Sequence, residues 1–106
     1  ILCDPYDLSV IIDNMYSNAK ELSAKYLDIL FTKQEEKLQI IFSSDTPFID
    51  EDKMDKIFEL GYSTKEGGSG IGLYNIKRIV DQRNWHIFVS NTKGSIECVT
   101  FTLELE

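Results

Sequence analysis

Hydrophobic residues recur at two different periods along the chain, and each period predicts one type of element. Over residues 4–24 they recur every three to four positions, which predicts an amphipathic helix with Asp4 as N-cap and Pro5 in the first turn. The same period predicts a helix over residues 73–81 and a short one over 50–58, capped by Asp50. The apolar face of the first helix contains Leu8, Ile11, Ile12, Met15, Ala19 and Leu22.

Two pairs of short apolar segments predict two β-hairpins. Residues 27–32 and 38–43 flank a polar turn over 33–37, and residues 86–90 and 96–105 flank a turn over 91–94. In the last segment apolar and polar residues alternate, which predicts one buried face and one solvated face. The order helix, hairpin, helix, helix, hairpin indicates an α+β fold, a two-layer sandwich of a mostly antiparallel sheet with helices on one face.

Length and charge limit the class of protein. With 106 residues the chain is expected to be one domain, residues 1–106. The net charge of −7 argues against nucleic acid or an anionic membrane as a main partner. No apolar segment has the length of a membrane span, and no signal peptide is visible. Since the chain starts at Ile1 without an initiator Met, we expect it to be a fragment of a longer protein. We also expect it to be cytoplasmic, within a parent that could be membrane-anchored. Cys3 and Cys98 are expected to be free thiols.

Three alternating glycines, Gly68, Gly70 and Gly72, directly precede the helix predicted over residues 73–81. A glycine-rich turn before a helix exposes free backbone N–H groups at the positive end of the helix dipole, where phosphate binds. The spacing matches neither the P-loop nor the dinucleotide-binding motif. A flexible turn before a surface helix therefore remains an alternative. Nearby Lys65, together with Lys77 and Arg78, would supply local positive charge.

Asn14 and Asn18 lie one turn apart on the first predicted helix, at the margin of its apolar face. Carboxamides in that position need hydrogen-bond partners. They could bond to nearby backbone or water, or an amide oxygen could help to hold a cation and a phosphate in a cleft.

Together these segments resemble the ATP-binding domain of the gyrase, chaperone and histidine-kinase ATPase superfamily, the Bergerat fold, and within it the catalytic domain of sensor histidine kinases. Residues 4–19 resemble the N box, 57–65 the F box and 68–77 the glycine-rich G2 box. The order and spacing of the boxes match over nearly the whole chain. The resemblance also implies a strand before the N box, of which only residues 1–3 remain, so the fold would be N-terminally trimmed.

The resemblance implies binding of ATP and Mg²⁺, with Asn18 as the metal ligand. The implied ATP-binding residues are Asn14, Asn18, Asp45, Thr64, Lys65, Gly68, Gly70, Gly72 and Leu73. The family motif D-x-G-x-G, whose Asp binds the adenine amino group, is degenerate here, as in a shortened subfamily. Asp45 is the nearest candidate for that Asp, and the alternative is a turn residue that caps Asp45-Thr46-Pro47.

The resemblance implies a two-component sensor histidine kinase domain that transfers the γ-phosphoryl group to a histidine on a separate dimerisation domain, with a response regulator downstream. Hydrolysing relatives carry a Glu where this chain has Asn14, which cannot act as a base. A degenerate nucleotide-binding regulatory module and an anti-sigma-type serine kinase remain alternatives. His86 and Trp85 are expected to be structural, and no catalytic residue is assigned within the fragment.

Overall fold

The structure is a computed structural model that describes residues 5–60, 72–93 and 97–105. Its elements are α1 (Pro5–Glu21), β1 (Leu27–Gln34), β2 (Lys37–Ser44), a 3₁₀ helix (Glu51–Lys53), α2 (Gly72–Arg83), β3 (His86–Thr92) and β4 (Cys98–Leu105). Of the described helices, neither α1 nor α2 combines the length and apolar composition that crossing a membrane requires.

The four described strands form one antiparallel sheet in the order β1-β2-β4-β3. Its register places the alternating apolar side chains of neighbouring strands on the same face, as in the row Ile29, Phe42, Phe101 and Val89. We call this the inner face. Fully buried residues of α1 and α2 pack against it, so the predicted α+β sandwich with helices on one face is confirmed. The core comprises Ile11, Met15, Ile40, Phe42, Ile57, Ile76, Val80, Trp85, Val99, Phe101, Leu103 and Leu105.

The first hairpin is tighter than the sequence predicts. Toward the turn, β1 extends two residues further than predicted and β2 extends one residue further. Gln34 therefore pairs with Lys37, and only Glu35 and Glu36 form the loop. Glu35 has φ = 56°, the left-handed conformation that two-residue hairpin loops require. The strand ends were predicted too early because residues 33–37 are polar, whereas the strand pairing continues through Lys33 and Lys37.

The helix predicted over residues 50–58 is wrong in type. Only Glu51–Lys53 is helical, as a 3₁₀ turn, and residues 54–60 continue as turns with i→i−3 bonds such as Lys56 N–H to the Lys53 carbonyl. Asp50 occupies the N-cap position without a side-chain cap bond, and its carboxylate lies 3.5 Å from Lys53 Nζ instead. Burial of Ile57 and an edge-to-face contact of Phe58 with Phe101 favour this irregular path.

Both long helices end in the same hydrogen-bonding motif. After α1, Ala24 N–H binds the Ala19 carbonyl and Ser23 N–H binds the Lys20 carbonyl. After α2, Trp85 N–H binds the carbonyl of Val80 in the same way. This is the Schellman motif, whose penultimate residue adopts the left-handed conformation. Ser23 and Asn84 occupy that position, with φ of 60° and 59°.

Ser23→Gly is expected to stabilise the domain by about 0.5–1 kcal/mol, because the left-handed conformation costs a residue with a Cβ more than it costs glycine. Urea unfolding would measure the change. Ser17→Gly at an exposed position within α1 is the matched control, and it should destabilise by about 0.5 kcal/mol, the difference in helix propensity between Ser and Gly. A Ser23→Gly variant less stable than the parent would contradict the capping role.

An ion pair joins the start of α1 to the end of α2. Arg83 donates through Nε to Asp7 Oδ2 at 2.7 Å, and its Nη2 lies 2.6 Å from the same oxygen. The Asp7 side chain is only 13% exposed, so solvent screens this pair less than a surface pair. The two helices are therefore held side by side at the end that is remote from Leu22 and Gly72.

Candidate functional site

A cleft of about 510 Å³ opens where the second half of α1, the start of α2 and the loop after β2 meet. Its floor is the inner face of β4. The lining is mainly apolar with a few polar groups, which is typical of ligand pockets. We use "the cleft" for this set: Asn18, Glu21, Leu22, Ser23, Thr46, Pro47, Phe48, Ile49, Asp50, Lys53, Ile57, Leu73, Val99 and Phe101.

Of the predicted site residues within the described part of the chain, Asn18 and Leu73 line the cleft directly. Asn18 is half-buried on α1, one turn before Leu22, and Leu73 is the second residue of α2. The two come from segments 55 positions apart in sequence. The fold thus places a carboxamide beside the N-terminal turn of α2, whose free N–H groups form the positive end of the helix dipole.

Asn14 and Gly72 approach each other closely where α1 packs against the start of α2. A Cβ atom added at Gly72 would lie 3.3 Å from Asn14 Oδ1 and 3.7 Å from the Asn14 carbonyl oxygen. The Asn14 side chain is oriented by its own helix, since Nδ2 donates to the Val10 carbonyl at 2.8 Å. The absence of a side chain at position 72 therefore allows the start of α2 to pack against α1.

Thr64, Lys65, Gly68 and Gly70 lie outside the described residues, so their predicted contacts stay predictions.

Asp45 lies outside the cleft lining. Its Oδ1 accepts hydrogen bonds from Lys25 N–H at 2.8 Å and Tyr26 N–H at 3.3 Å, in the connection between α1 and β1. Its role in the fold is to tie that connection to the end of β2. This role is structural, but its partners are Lys25 and Tyr26 and not the turn Asp45-Thr46-Pro47, and the predicted contact with adenine stays a prediction.

Asn91 holds the loop that forms one wall of the cleft, and sequence reasoning missed it. Its Oδ1 accepts from Ile49 N–H at 3.0 Å, and its Nδ2 donates to the Ile49 carbonyl at 2.7 Å. The side-chain amide thereby pairs with Ile49 as a neighbouring strand would. A signal was available, because Asn91 continues the inward alternation of Ile87 and Val89 with a polar residue.

Asn91→Ala is expected to destabilise the domain by about 2 kcal/mol, because it removes two hydrogen bonds and leaves the Ile49 groups without those partners. Thermal unfolding would measure the loss. Ser90→Ala, on the exposed opposite face of β3, is the control and should have little effect. Equal stability of the two variants would show that the loop does not need this clamp.

The basic residues of α2 do not reach the cleft. Lys77 Nζ lies 3.1 Å from Asp81 Oδ1, and both residues line a separate depression beside Trp85. Arg78 is exposed and is not part of the cleft. Lys53 is the one basic residue among the described residues of the cleft, and its side chain pairs with Asp50. The predicted cluster of Lys77 and Arg78 with the glycines stays a prediction, because Gly68 and Gly70 lie outside the described residues.

His86 and Trp85 have the structural surroundings that were expected. Trp85 is 5% exposed and belongs to the core. His86 begins β3 and pairs with Glu104, which alternates with the buried Leu103 and Leu105, so the imidazole lies on the outer face. Its ring stacks with Phe88 at a centroid distance of 6.5 Å. The outer face is opposite the cleft.

Sequence and structure comparisons relate the chain to sensor kinases. It is 32% identical over 107 residues to the sensor histidine kinase ZraS of Escherichia coli K12, an alignment that covers 99% of this chain and 23% of that protein. It is 28% identical over 98 residues to a probable C4-dicarboxylate sensor kinase of Bacillus subtilis 168, covering 86% of this chain and 18% of the relative. The chain thus spans about a fifth of the length of these relatives.

Solved structures share the fold. The mycobacterial sensor histidine kinase MprB superposes with a TM-score of 0.85 at 16% identity, over 99% of this chain and 75% of that one. Full-length ShkA in complex with AMPPNP superposes with a TM-score of 0.74 at 21% identity, over 99% of this chain and 22% of that one. The family described as histidine kinase-, DNA gyrase B- and HSP90-like ATPases matches residues 3–106. The chain therefore belongs to this ATPase family.

Proposed function

We propose that residues 1–106 form the ATP-binding catalytic domain of a two-component sensor histidine kinase, which binds Mg·ATP and transfers the γ-phosphoryl group to a histidine on a separate dimerisation domain. The observation that carries the proposal is the cleft, in which an apolar floor, the Asn18 carboxamide and the start of α2 adjoin. The crystallised relative ShkA, by its description, holds the ATP analogue AMPPNP.

The cleft offers an apolar surface for the base of the nucleotide and a helix N-terminus for its phosphates. Leu22, Val99 and Phe101 form an apolar surface that suits a purine ring. The start of α2 suits the phosphates, because its N–H groups have no partners within the helix. Gly68, Gly70 and Gly72 would contribute further N–H groups, with Thr64 and Lys65 beside them.

The residues also fit Mg²⁺ when it arrives with the triphosphate. Among the described residues no group of three His, Cys, Asp or Glu side chains could hold a metal. A carboxamide oxygen is nevertheless a hard donor, and Mg²⁺ commonly takes few protein oxygens and completes its shell with phosphate and water. Asn18 is the residue that would hold it, supported by Asn14. The ion would neutralise charge on the phosphates.

The carboxamide at position 14 favours phosphoryl transfer over hydrolysis. Phosphoryl transfer asks the protein mainly to position the reactants and neutralise charge. Hydrolysis would need a base beside the attacking water, and Asn14 has no proton-accepting carboxylate. The acceptor histidine would come from the dimerisation domain of the parent kinase. That histidine would then pass the phosphoryl group to a response regulator. We propose that this domain is cytoplasmic and belongs to a parent protein that could be membrane-anchored.

A nucleotide-binding regulatory module without catalysis is the second candidate. One observation favours it, namely that the Asp45 carboxylate binds backbone N–H groups away from the cleft. Such a module would bind nucleotide but would not phosphorylate a supplied histidine domain. No described contact favours the anti-sigma-type serine kinase over these two.

Titration calorimetry with Mg·ADP tests the proposal. We expect saturable binding of weak to moderate affinity that depends on Mg²⁺, because the motif that usually binds adenine is degenerate. The absence of both heat and a thermal shift at millimolar nucleotide would refute nucleotide binding, and with it the kinase function.

A further inference from the structure

The segment after β2 forms one wall of the cleft without being a helix or a strand. We call residues 45–50 the wall loop, and its residues 46–50 all line the cleft. The loop leaves the sheet after Ser44, the last residue of β2, and extends past β4 to β3, where Asn91 binds Ile49. A segment without regular backbone pairing depends on other groups to hold its shape. The contacts of the wall loop therefore determine the shape of the cleft.

Two polar contacts hold the wall loop, one on each side of Val99. Within the sheet, Val99 pairs with Ser44 of β2 and with Asn91 of β3, and all three side chains lie on the inner face. Val99 itself lines the cleft. The hydroxyls of Ser44 and Thr46 are 3.3 Å apart, and Asn91 bonds to the N–H and the carbonyl of Ile49 at 3.0 and 2.7 Å. The two ends of the loop are thus tethered to the row of residues that forms part of the floor.

The Asn91 contact fixes an orientation as well as a distance. A carboxamide both donates and accepts, so it can bind two groups of one residue at the same time. The peptide groups on either side of Ile49 cannot rotate while both bonds are made. The directions of the Phe48 and Ile49 side chains are fixed with them, and both side chains pack against the core cluster. The hydroxyl contact at the other end of the loop is one bond, longer than the usual O–H···O distance.

We propose that Asn91 is a positioning residue for the base of the bound nucleotide, because it holds Phe48 and Ile49 in the arrangement that covers the base. Asn91 is not among the described residues that line the cleft, so it would act through the wall loop and not by touching the ligand. The inference rests on the proposed function, which places the base against the apolar surface of the cleft. The phosphates belong to the start of α2 and to Asn18, which the wall loop does not include. Loss of the tether should therefore affect the base and spare the phosphates.

Calorimetric titration of Asn91→Ala with Mg·ADP and with Mg·pyrophosphate tests the inference, at a temperature at which circular dichroism shows every variant folded. The affinity for Mg·ADP should fall at least about tenfold, the loss expected when the wall loop holds the competent arrangement about a tenth of the time. The affinity for Mg·pyrophosphate should change less than about twofold, because a ligand that binds both arrangements equally does not depend on their populations. If pyrophosphate binds the unaltered domain too weakly to titrate, adenosine replaces it and should lose affinity by the same factor as ADP.

Ser90→Ala is the matched control, since Ser90 is the exposed neighbour of Asn91 on the opposite face of β3. It should bind both ligands like the parent. An unchanged ADP affinity of the folded Asn91→Ala variant would overturn the inference and leave the proposed function intact. An equal loss for ADP and pyrophosphate would also overturn it, because the effect would then not be confined to the base. Failure of the unaltered domain to bind Mg·ADP would refute both.

Two further variants test the parts of this arrangement separately. Asn91→Asp keeps the size of the side chain and the acceptor for Ile49 N–H, but it turns a carboxylate oxygen toward the Ile49 carbonyl, so it should lose ADP affinity like Asn91→Ala. Parent-like ADP affinity of Asn91→Asp would overturn the two-bond tether. Phe48→Ala removes a side chain of the wall itself and should weaken Mg·ADP while sparing Mg·pyrophosphate. If Asn91→Ala does not fold, Phe48→Ala decides, and its parent-like ADP affinity would overturn the inference.

Discussion

Asn18→Ala is expected to abolish the Mg²⁺-dependent part of nucleotide binding and to leave the domain folded. The substitution removes the carboxamide oxygen that is proposed to bind the metal, and a loss of at least about tenfold is typical even for an outer-shell partner of a metal ion. Folding should survive because Asn18 is half-buried at the cleft and does not belong to the core cluster. Calorimetry with ADP in the presence of Mg²⁺ and of EDTA separates the two contributions.

The neighbouring residue offers a matched control for this substitution. Ser17 is exposed on α1 and does not line the cleft, so Ser17→Ala should bind Mg·ADP like the parent. If Asn18→Ala also binds like the parent, the metal assignment falls. If Asn18→Ala unfolds, the Asn18 carboxamide has a structural role and stabilises the fold through hydrogen bonds within the protein.

The isolated domain is expected neither to label itself on His86 nor to hydrolyse ATP appreciably. His86 lies on the outer face of the sheet and cannot approach a phosphate bound in the cleft, and Asn14 offers no base for water. Phosphoryl transfer should occur only when a histidine-bearing helical domain is supplied, in the same chain or in trans. Incubation with radiolabelled ATP, followed by a test for acid-labile label, would measure both outcomes.

His86→Gln is the control for this experiment. Label that appears on the isolated domain and disappears in His86→Gln would contradict the structural role of His86. Rapid release of free phosphate without an acceptor would point instead to a hydrolase. Nucleotide binding without transfer to the supplied histidine domain would support the regulatory module.

The sequence predicted the regular elements well because burial of one face dictates them. The apolar residues of α1 recur at helical spacing, and those of β4 alternate strictly, so both types follow from the period alone. The helix prediction over residues 50–58 was wrong because the apolar residues there have helical spacing without forming the face of a helix. Ile57 and Phe58 each pack against the core from an irregular segment. The strand ends around Glu35 failed because pairing there depends on the backbone turn and not on hydrophobicity.

The site was predictable only where one element carries the information. Asn18 was predicted from its position on the first helix and Leu73 from the resemblance to the glycine-rich box, and both line the cleft. Asn91 was missed because its partner Ile49 lies 42 positions away, and Thr46 because a single hydroxyl in a turn has no periodic signal. Asp45 was predicted as the nearest match to the Asp of the family motif D-x-G-x-G, whereas the direction of its side chain depends on the tertiary position of Lys25 and Tyr26.

The burial of Trp85 gives this domain a built-in optical reporter. The chain has one tryptophan, and its indole is 5% exposed just beyond the C-terminal end of α2. Leu73, at the other end of that helix, lines the cleft, and a helix of this length separates the two by roughly 18 Å. Tryptophan emission should therefore change when the domain unfolds and stay constant when the cleft fills. Loss of structure and loss of affinity can thus be distinguished in every variant without an added dye.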